Sequence, residues 1–194
     1  MESERMVKCD GCGQPADSEH MKARVERMEM ATRYRPIHVH TLVVSACPPA
    51  AIADYFYNVQ PDRKQRSDSA RARFTELAQC APEAIAKPGG ASANEEAVLI
   101  EWQRRGLFLA HPVDCWIEPS PALDAAVSAA AKTLVLRLNT SYRPKHVALI
   151  GRATASLIAP LESSGWQGKL ILDNGAPFDG TGFGQLLATA IHSA

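Results

Sequence analysis

The sequence has no excess of either charge. Its 21 Lys and Arg balance 21 Asp and Glu over 194 residues. That excludes a protein whose hold on nucleic acid rests on overall positive charge; any such contact has to come from a local patch. Long hydrophobic runs are also lacking. The longest falls well short of the ~18 apolar residues of a membrane span. The opening stretch MESERMVKCDGC is charged and has no apolar core, so it does not read as a signal peptide, and a cytoplasmic protein is expected. There is no internal repeat, and no P-loop pattern to support nucleoside triphosphate binding. Cysteine is scarce and odd in number, five in all, which argues for thiols or metal ligands over a disulfide framework.

What is present suits a single domain, 1–194, whose 46% hydrophobic content is enough for a core. A knuckle-like turn, CDGCGQP, lies within about 7–20. A helix is expected from Ser18 to Tyr34, with Met21, Val25 and Met28 at i, i+4, i+7 and Pro36 beyond its end. His38 to Ala46 reads as a buried parallel strand, followed by a short helix after Pro48-Pro49. Asp62 is the expected cap of a helix with Arg63, Lys64, Arg66, Arg71 and Arg73 outside and Phe74 and Leu77 inside. A loop at 86–94 leads to a helix capped by Asn94, ended by Gly106 and followed by the strand LFLA. Ser120-Pro121 opens a helix with the stripe Leu123, Val127, Ala130, Leu134, Leu138. The strand HVALI, Gly151, a helix to about Leu161, a strand from Lys169 to Leu172, the loop NGAPFDGTGFG and a helix from Gln185 to Ile191 complete the chain. Helices alternating with short apolar strands predict a three-layer α/β/α sandwich around a four-stranded parallel sheet. Ligands in such sheets bind beyond the carboxyl ends of the strands, where SACPPA, AHPVDCW, IGRAT and NGAPFDGTG lie.

These segments, in this order, resemble the uracil-DNA glycosylase superfamily, over most of the chain from about Cys9. LVVSACPPAAIADYFYN is similar to its first motif region, and LFLAHPVDC to its second strand and turn, most closely in the iron–sulfur members. RPKHVALIGRATASLIAPL is similar to its third strand and helix, and ILDNGAPFDGTG to its last strand and loop. The resemblance implies a nucleobase-sized pocket beside a nucleic-acid groove. The sequence departs from the family at four places. Ser45-Ala46-Cys47 offers no carboxylate to activate water. His111 stands where the iron–sulfur branch commonly has Asn. The leaving-base histidine falls near Ala176. A fourth cluster cysteine would fall near Ala131.

Several residues carry candidate chemistry. Cys9-x-x-Cys12 is half of a tetrahedral site, and the resemblance adds Cys115. With no fourth cysteine in place, an iron–sulfur cluster is disfavoured. Zinc completed by His20 is the economical set; His38, His40 and His111 are other candidates, and free thiols in a tail are the alternative. Phe56 is the base-stacking candidate implied by the family, with Tyr55, Tyr57 and Asn58 for polar contacts; the same aromatics also suit core packing. Cys47 and Pro48 line that turn, Cys47 as a nucleophile or as a small buried hydrophobe. His111, three residues from Asp114, can orient water, bond a base or fix its own turn. Asp179, beside Pro177 and Phe178, can activate water or cap the last helix. The basic run 62–73 can track phosphates or simply face solvent. Trp102, Trp116 and Trp166 read as packing residues. Three functions follow: nucleobase recognition in DNA or RNA, or of a free nucleobase or nucleotide, with hydrolysis of an N-glycosidic bond in a DNA-repair role; a binding module without turnover on the same fold; or an interaction protein using the Met21/Met28 face.

Overall fold

A computed structural model of the protein describes residues 7–59, 66–86 and 95–194. Its elements are α1 (Ser18–Arg33), β1 (Thr41–Ser45), α2 (Asp68–Ala78), α3 (Pro82–Ile85), α4 (Glu95–Arg104), β2 (Leu107–Ala110), α5 (Pro121–Arg137), β3 (His146–Ile150), α6 (Ile158–Ser163), β4 (Lys169–Ile171) and α7 (Phe183–His192). A one-turn 3-10 segment follows β1 (Ile52–Asp54) and a two-turn one follows β3 (Arg152–Leu157). The strands form one sheet in the order β2-β1-β3-β4, every pair parallel.

Every residue of β1 and β2 is buried, because helices cover both faces of the sheet. The crossover from β1 to β2 runs one way along the sheet, and those from β2 to β3 and β3 to β4 run the other way. Right-handed connections therefore put α2–α4 on one face and α5 and α6 on the other. The packing agrees: α5 lies on α6, and α7 returns onto α2. The outcome is the expected three-layer α/β/α sandwich. No helix among the described residues is long and apolar enough to cross a membrane.

Several local expectations are corrected. On α1 the inward residues are Arg27 and Met30, whereas Val25 and Met28 are 58% and 55% exposed. The helix docks on a polar rim, so its arginine face turns in. The cap of α2 is Ser67, which accepts from the Ala70 amide; Asp62, Arg63, Lys64, Asn94 and most of the 86–94 loop lie outside the described residues. Arg66 is buried rather than outside. Ser120 sits at the start of α5, but its hydroxyl donates to the Glu118 carbonyl and caps nothing. In the α5 stripe Ala131 is buried where Ala130 is only half-buried. The helix then widens into a π turn, Leu138–Tyr142, ended by Arg143 at φ +45°. Asp179 does not cap α7. Glu76 of α2 does, accepting from the Gly182 and Gly184 amides at 2.7 and 2.8 Å.

Candidate functional site

The knuckle is built first by its own backbone. Cys9 and Gln14 are joined at 2.7 Å, Gly13 bonds back to Cys9, and Ala16 to Val7. Gly13 has φ +75°, where a side chain would be strained. Asp17 then caps α1 by accepting from the His20 amide at 2.8 Å, which puts His20 in the first turn, facing back to the knuckle. Its Nε2 is 3.5 Å from Cys12 Sγ, and Cys9 Sγ is 3.7 Å from Cys115 Sγ. The four ligand atoms all lie within 4.8 Å of one another.

This spacing fits a tetrahedral ion. Bonds of about 2.3 Å to sulfur and 2.0–2.1 Å to nitrogen set edges of about 3.8 Å between two sulfurs and about 3.6 Å between sulfur and nitrogen. The Cys9, Cys12, His20, Cys115 group can therefore hold a metal ion. His38 and His40 are exposed before β1 and take no part, and neither does His111. Burial alone would raise the Cys9 thiol, but hydrogen bonds from His20, the Gly11 backbone and the other two thiols bring it down to about 6. Three thiolates and a neutral imidazole around a dication would carry one net negative charge. Arg24 Nη1 stands 3.5 Å from Cys9 Sγ to meet it. Arg24 also pairs with Asp10 and, at 3.1 Å, with Asp114, which Arg137 grips with two bonds of 3.0 and 2.9 Å. The network ties knuckle, α1, the loop after β2 and α5 together. Asp114 is thus a structural link, its oxygens fully engaged.

The sheet order defines a second place. The chain leaves β1 toward β2 and leaves β3 toward β4, in opposite directions, so a crevice opens between the carboxyl ends of β1 and β3. A cleft of about 510 Å³ lies there, lined by Ser45–Pro49 and Ile150–Ala153. It is also lined by Tyr55, Phe56, His111, Trp116 and Ile117, and by Arg66 and Arg73.

Phe56 reaches the cleft, but it is 6% exposed and packs on Trp102 and Phe74 at centroid distances of 4.8 and 5.2 Å. Tyr57 and Asn58 do not line the cleft. The Tyr57 hydroxyl donates to the Leu109 carbonyl and accepts from its amide. β2 is an edge strand, and this hydroxyl satisfies its open side. Asn58 donates to the Ile52 carbonyl at 2.8 Å. The whole YFYN segment is shaped by Arg66. Its guanidinium bonds the carbonyls of Tyr55, Phe56 and Asn58 and the Glu95 carboxylate.

His111 Nδ1 lies 3.0 Å from the Ser45 carbonyl. A carbonyl only accepts, so Nδ1 carries the proton and Nε2 is a bare acceptor. Nε2 is buried without a partner. Burial pushes the imidazole down to about 4 against a weaker upward pull from the Ser45 carbonyl, so the ring is neutral. Cys47 Sγ faces the Ile117 carbonyl at 3.6 Å, and burial pushes this thiol up, which keeps it protonated. Arg73 reaches across to the Ser45 hydroxyl at 3.1 Å. Asp54 is the only carboxylate lining the cleft among the described residues, and both its oxygens accept from Ser67.

Pro48 lines the cleft; Pro177, Phe178 and Asp179 do not. Phe178 bridges to β3 through the Leu149 carbonyl and the Gly151 amide, which buries its ring. Asp179 stands at the rim, paired with Arg152 at 2.8 Å. Two residues carry more of the site than their sequence context signalled. Arg66 looks like one cation among many in a basic run. Trp116, read as packing, is 39% exposed in the cleft wall; its place just after Cys115 in a rim loop was the available signal.

Fold and site together define a parallel α/β/α domain with a Cys3His clasp beside a cleft at the switch point of the sheet. Compared with protein-family models, curated proteins and solved structures, the chain has no significant match.

Proposed function

We propose that the cleft binds a nucleobase presented by a nucleic-acid strand, on a scaffold of the uracil-DNA-glycosylase type. The observation that carries this reading is His111 Nε2, a buried acceptor without a partner. A base edge offering N–H would satisfy it, and such vacancies are costly when left open. Phe56, Trp116 and Ile117 supply apolar walls, and the volume lies in the range of ligand pockets, roughly 300–1,000 Å³. Arg73 supplies positive charge where a phosphate would pass. DNA is the favoured strand from the motif resemblance.

Binding without turnover is the version these groups favour. Asp54 is committed to Ser67, Asp179 to Arg152, and an imidazole at about 4 is a weak general base. The metal is zinc in this reading, since Cys3His with tetrahedral edges suits it and an iron–sulfur cluster takes four cysteines in the family the sequence resembles. It would be a structural ion. A reducing cytoplasm fits five cysteines that are all free.

The test is titration of single-stranded DNA while following Trp116 emission, with a base-release assay on uracil and deaminated-base oligonucleotides. Quenching that weakens steeply with salt, without release, is the expected result. Base release would establish the hydrolase instead. A folded protein that neither quenches at low salt nor releases base ends the proposal. Elemental analysis should find one zinc per chain and no visible absorption band; a brown protein overturns the zinc assignment.

A further inference from the structure

A second cavity, about 310 Å³, shares Pro48, Tyr55, Leu109 and His111 with the cleft and opens between α1 and the π turn. Its lining carries four guanidiniums, Arg24, Arg27, Arg35 and Arg137, against one carboxylate, Asp114. That carboxylate is already spent on Arg24 and Arg137. Arg27 is 6% exposed, yet its bonds go to main-chain carbonyls: Nη2 donates to Pro49 and Ala50, each at 2.9 Å. The Nε atoms of both Arg24 and Arg27 are buried without a partner. The two residues are three apart on α1 and so share a helix face.

A buried guanidinium with no carboxylate hydrogen-bonded to it among the described residues is unfavourable, and orphaned N–H groups add to the cost. Burial accordingly works against the Arg27 charge. Arg35 lies over the Tyr142 ring at 5.2 Å and bonds the Ser141 carbonyl, again with no carboxylate bonded to it among the described residues. The phenols of Tyr55 and Tyr142 are pushed up by burial and remain donors. Helices seldom widen into π turns, and where they do a functional site is often near.

We propose that this cavity is a binding site for a phosphate monoester, with Arg27 and Arg35 holding the phosphate and the ester body lying against Tyr142 and Phe108. With Asp114 in the lining and Asp10, outside it, paired with Arg24, two of the four positive charges are left without a carboxylate among the described residues. A phosphate dianion offers more charge and more acceptor oxygens to guanidinium forks. The proposal does not rest on the nucleobase reading, because Arg27 and Arg35 line this cavity and not the cleft.

The test is calorimetry on the metal-loaded full chain at low salt, with inorganic phosphate and phenyl phosphate as separate probes. Saturable binding of either supports the site. Tighter binding of phenyl phosphate identifies the ester; equal or tighter binding of inorganic phosphate identifies the free anion as the occupant. Arg27→Met should weaken binding about ten- to a hundredfold, the loss expected for a charge-assisted hydrogen bond. Arg35→Met, at the exposed rim, should weaken it about threefold or more and leaves the buried Arg27 bonds in place, so it decides the matter if Arg27→Met does not fold. No heat with either probe at millimolar concentration overturns the proposal. So does unchanged affinity in Arg35→Met, whether or not Arg27→Met folds.

Discussion

His111 makes the folded protein sensitive to mild acid. In the unfolded chain an imidazole takes a proton near 6.5, while in the fold burial holds it to about 4. Above 6.5 the ring is neutral in both states and contributes no pH dependence. Between 6.5 and 4 the unfolded state binds the extra proton, so stability falls with falling pH. The difference is worth about 3 kcal/mol in full, of which about 2 kcal/mol is lost between pH 7 and pH 5. The metal thiolates also titrate in acid, so the wild type alone would confound the measurement. The comparison is therefore with His111→Gln, whose amide can still donate to the Ser45 carbonyl and has no proton to take up. Urea denaturation at pH 7 and pH 5, at fixed metal, should show the wild type losing about 2 kcal/mol more than the variant. Equal losses in the two proteins would mean that the ring is not buried neutral. The acceptor argument for the cleft would then fail with it.

Four further outcomes are expected. Cys115→Ser should reduce chelator-resistant metal from one equivalent toward none, and Arg24→Met, which keeps all four ligands, should weaken metal affinity about ten- to a hundredfold in a chelator competition. Arg66→Met removes a buried guanidinium that holds three carbonyls and a carboxylate, so denaturation should show a loss of about 3 kcal/mol. Gly184→Ala places a Cβ onto the Glu76 main chain, where α7 meets α2; the helices have to separate, and a cost of about 1–3 kcal/mol should appear in a thermal melt.

The layers were legible because their signals are local. LVV, LFLA and HVALI are short apolar runs bounded by turn residues, and Gly106 ends its helix at φ +70° as its position implied. The metal group was legible for a related reason. CxxC fixes two ligands, His20 is the nearest histidine and the Asp17 cap holds it within one helical turn, while Cys115 was legible only through the motif resemblance. What could not be read were the charged residues that turn inward. Arg24, Arg27 and Arg66 sit in patterns that look like solvated helix faces, and their partners lie on other segments: the Asp114 carboxylate for Arg24, the Pro49 carbonyl for Arg27 and the Tyr55 carbonyl for Arg66. No periodicity marks an arginine that caps a loop instead of facing water. Phe178 was misplaced by the same limit. It occupies the register of one more strand residue beside β3, which only the assembled sheet makes visible.

The clasp and the cleft are linked by the shortest path the chain allows. His111 leaves β2 into the cleft, and four residues later Cys115 reaches the metal group. Between them Val113 bonds the Ala46 carbonyl at 3.4 Å, and beyond them Cys47 meets the Ile117 carbonyl, so this loop is stitched to the turn after β1 on both sides. A loop with few regular hydrogen bonds of its own would otherwise sample many positions and pay entropy on ligand binding. An ion at Cys115 removes that freedom at one end, and the Ser45 carbonyl fixes the imidazole at the other. The knuckle therefore has a physical task that does not require it to touch a ligand: it holds the wall that presents His111 Nε2.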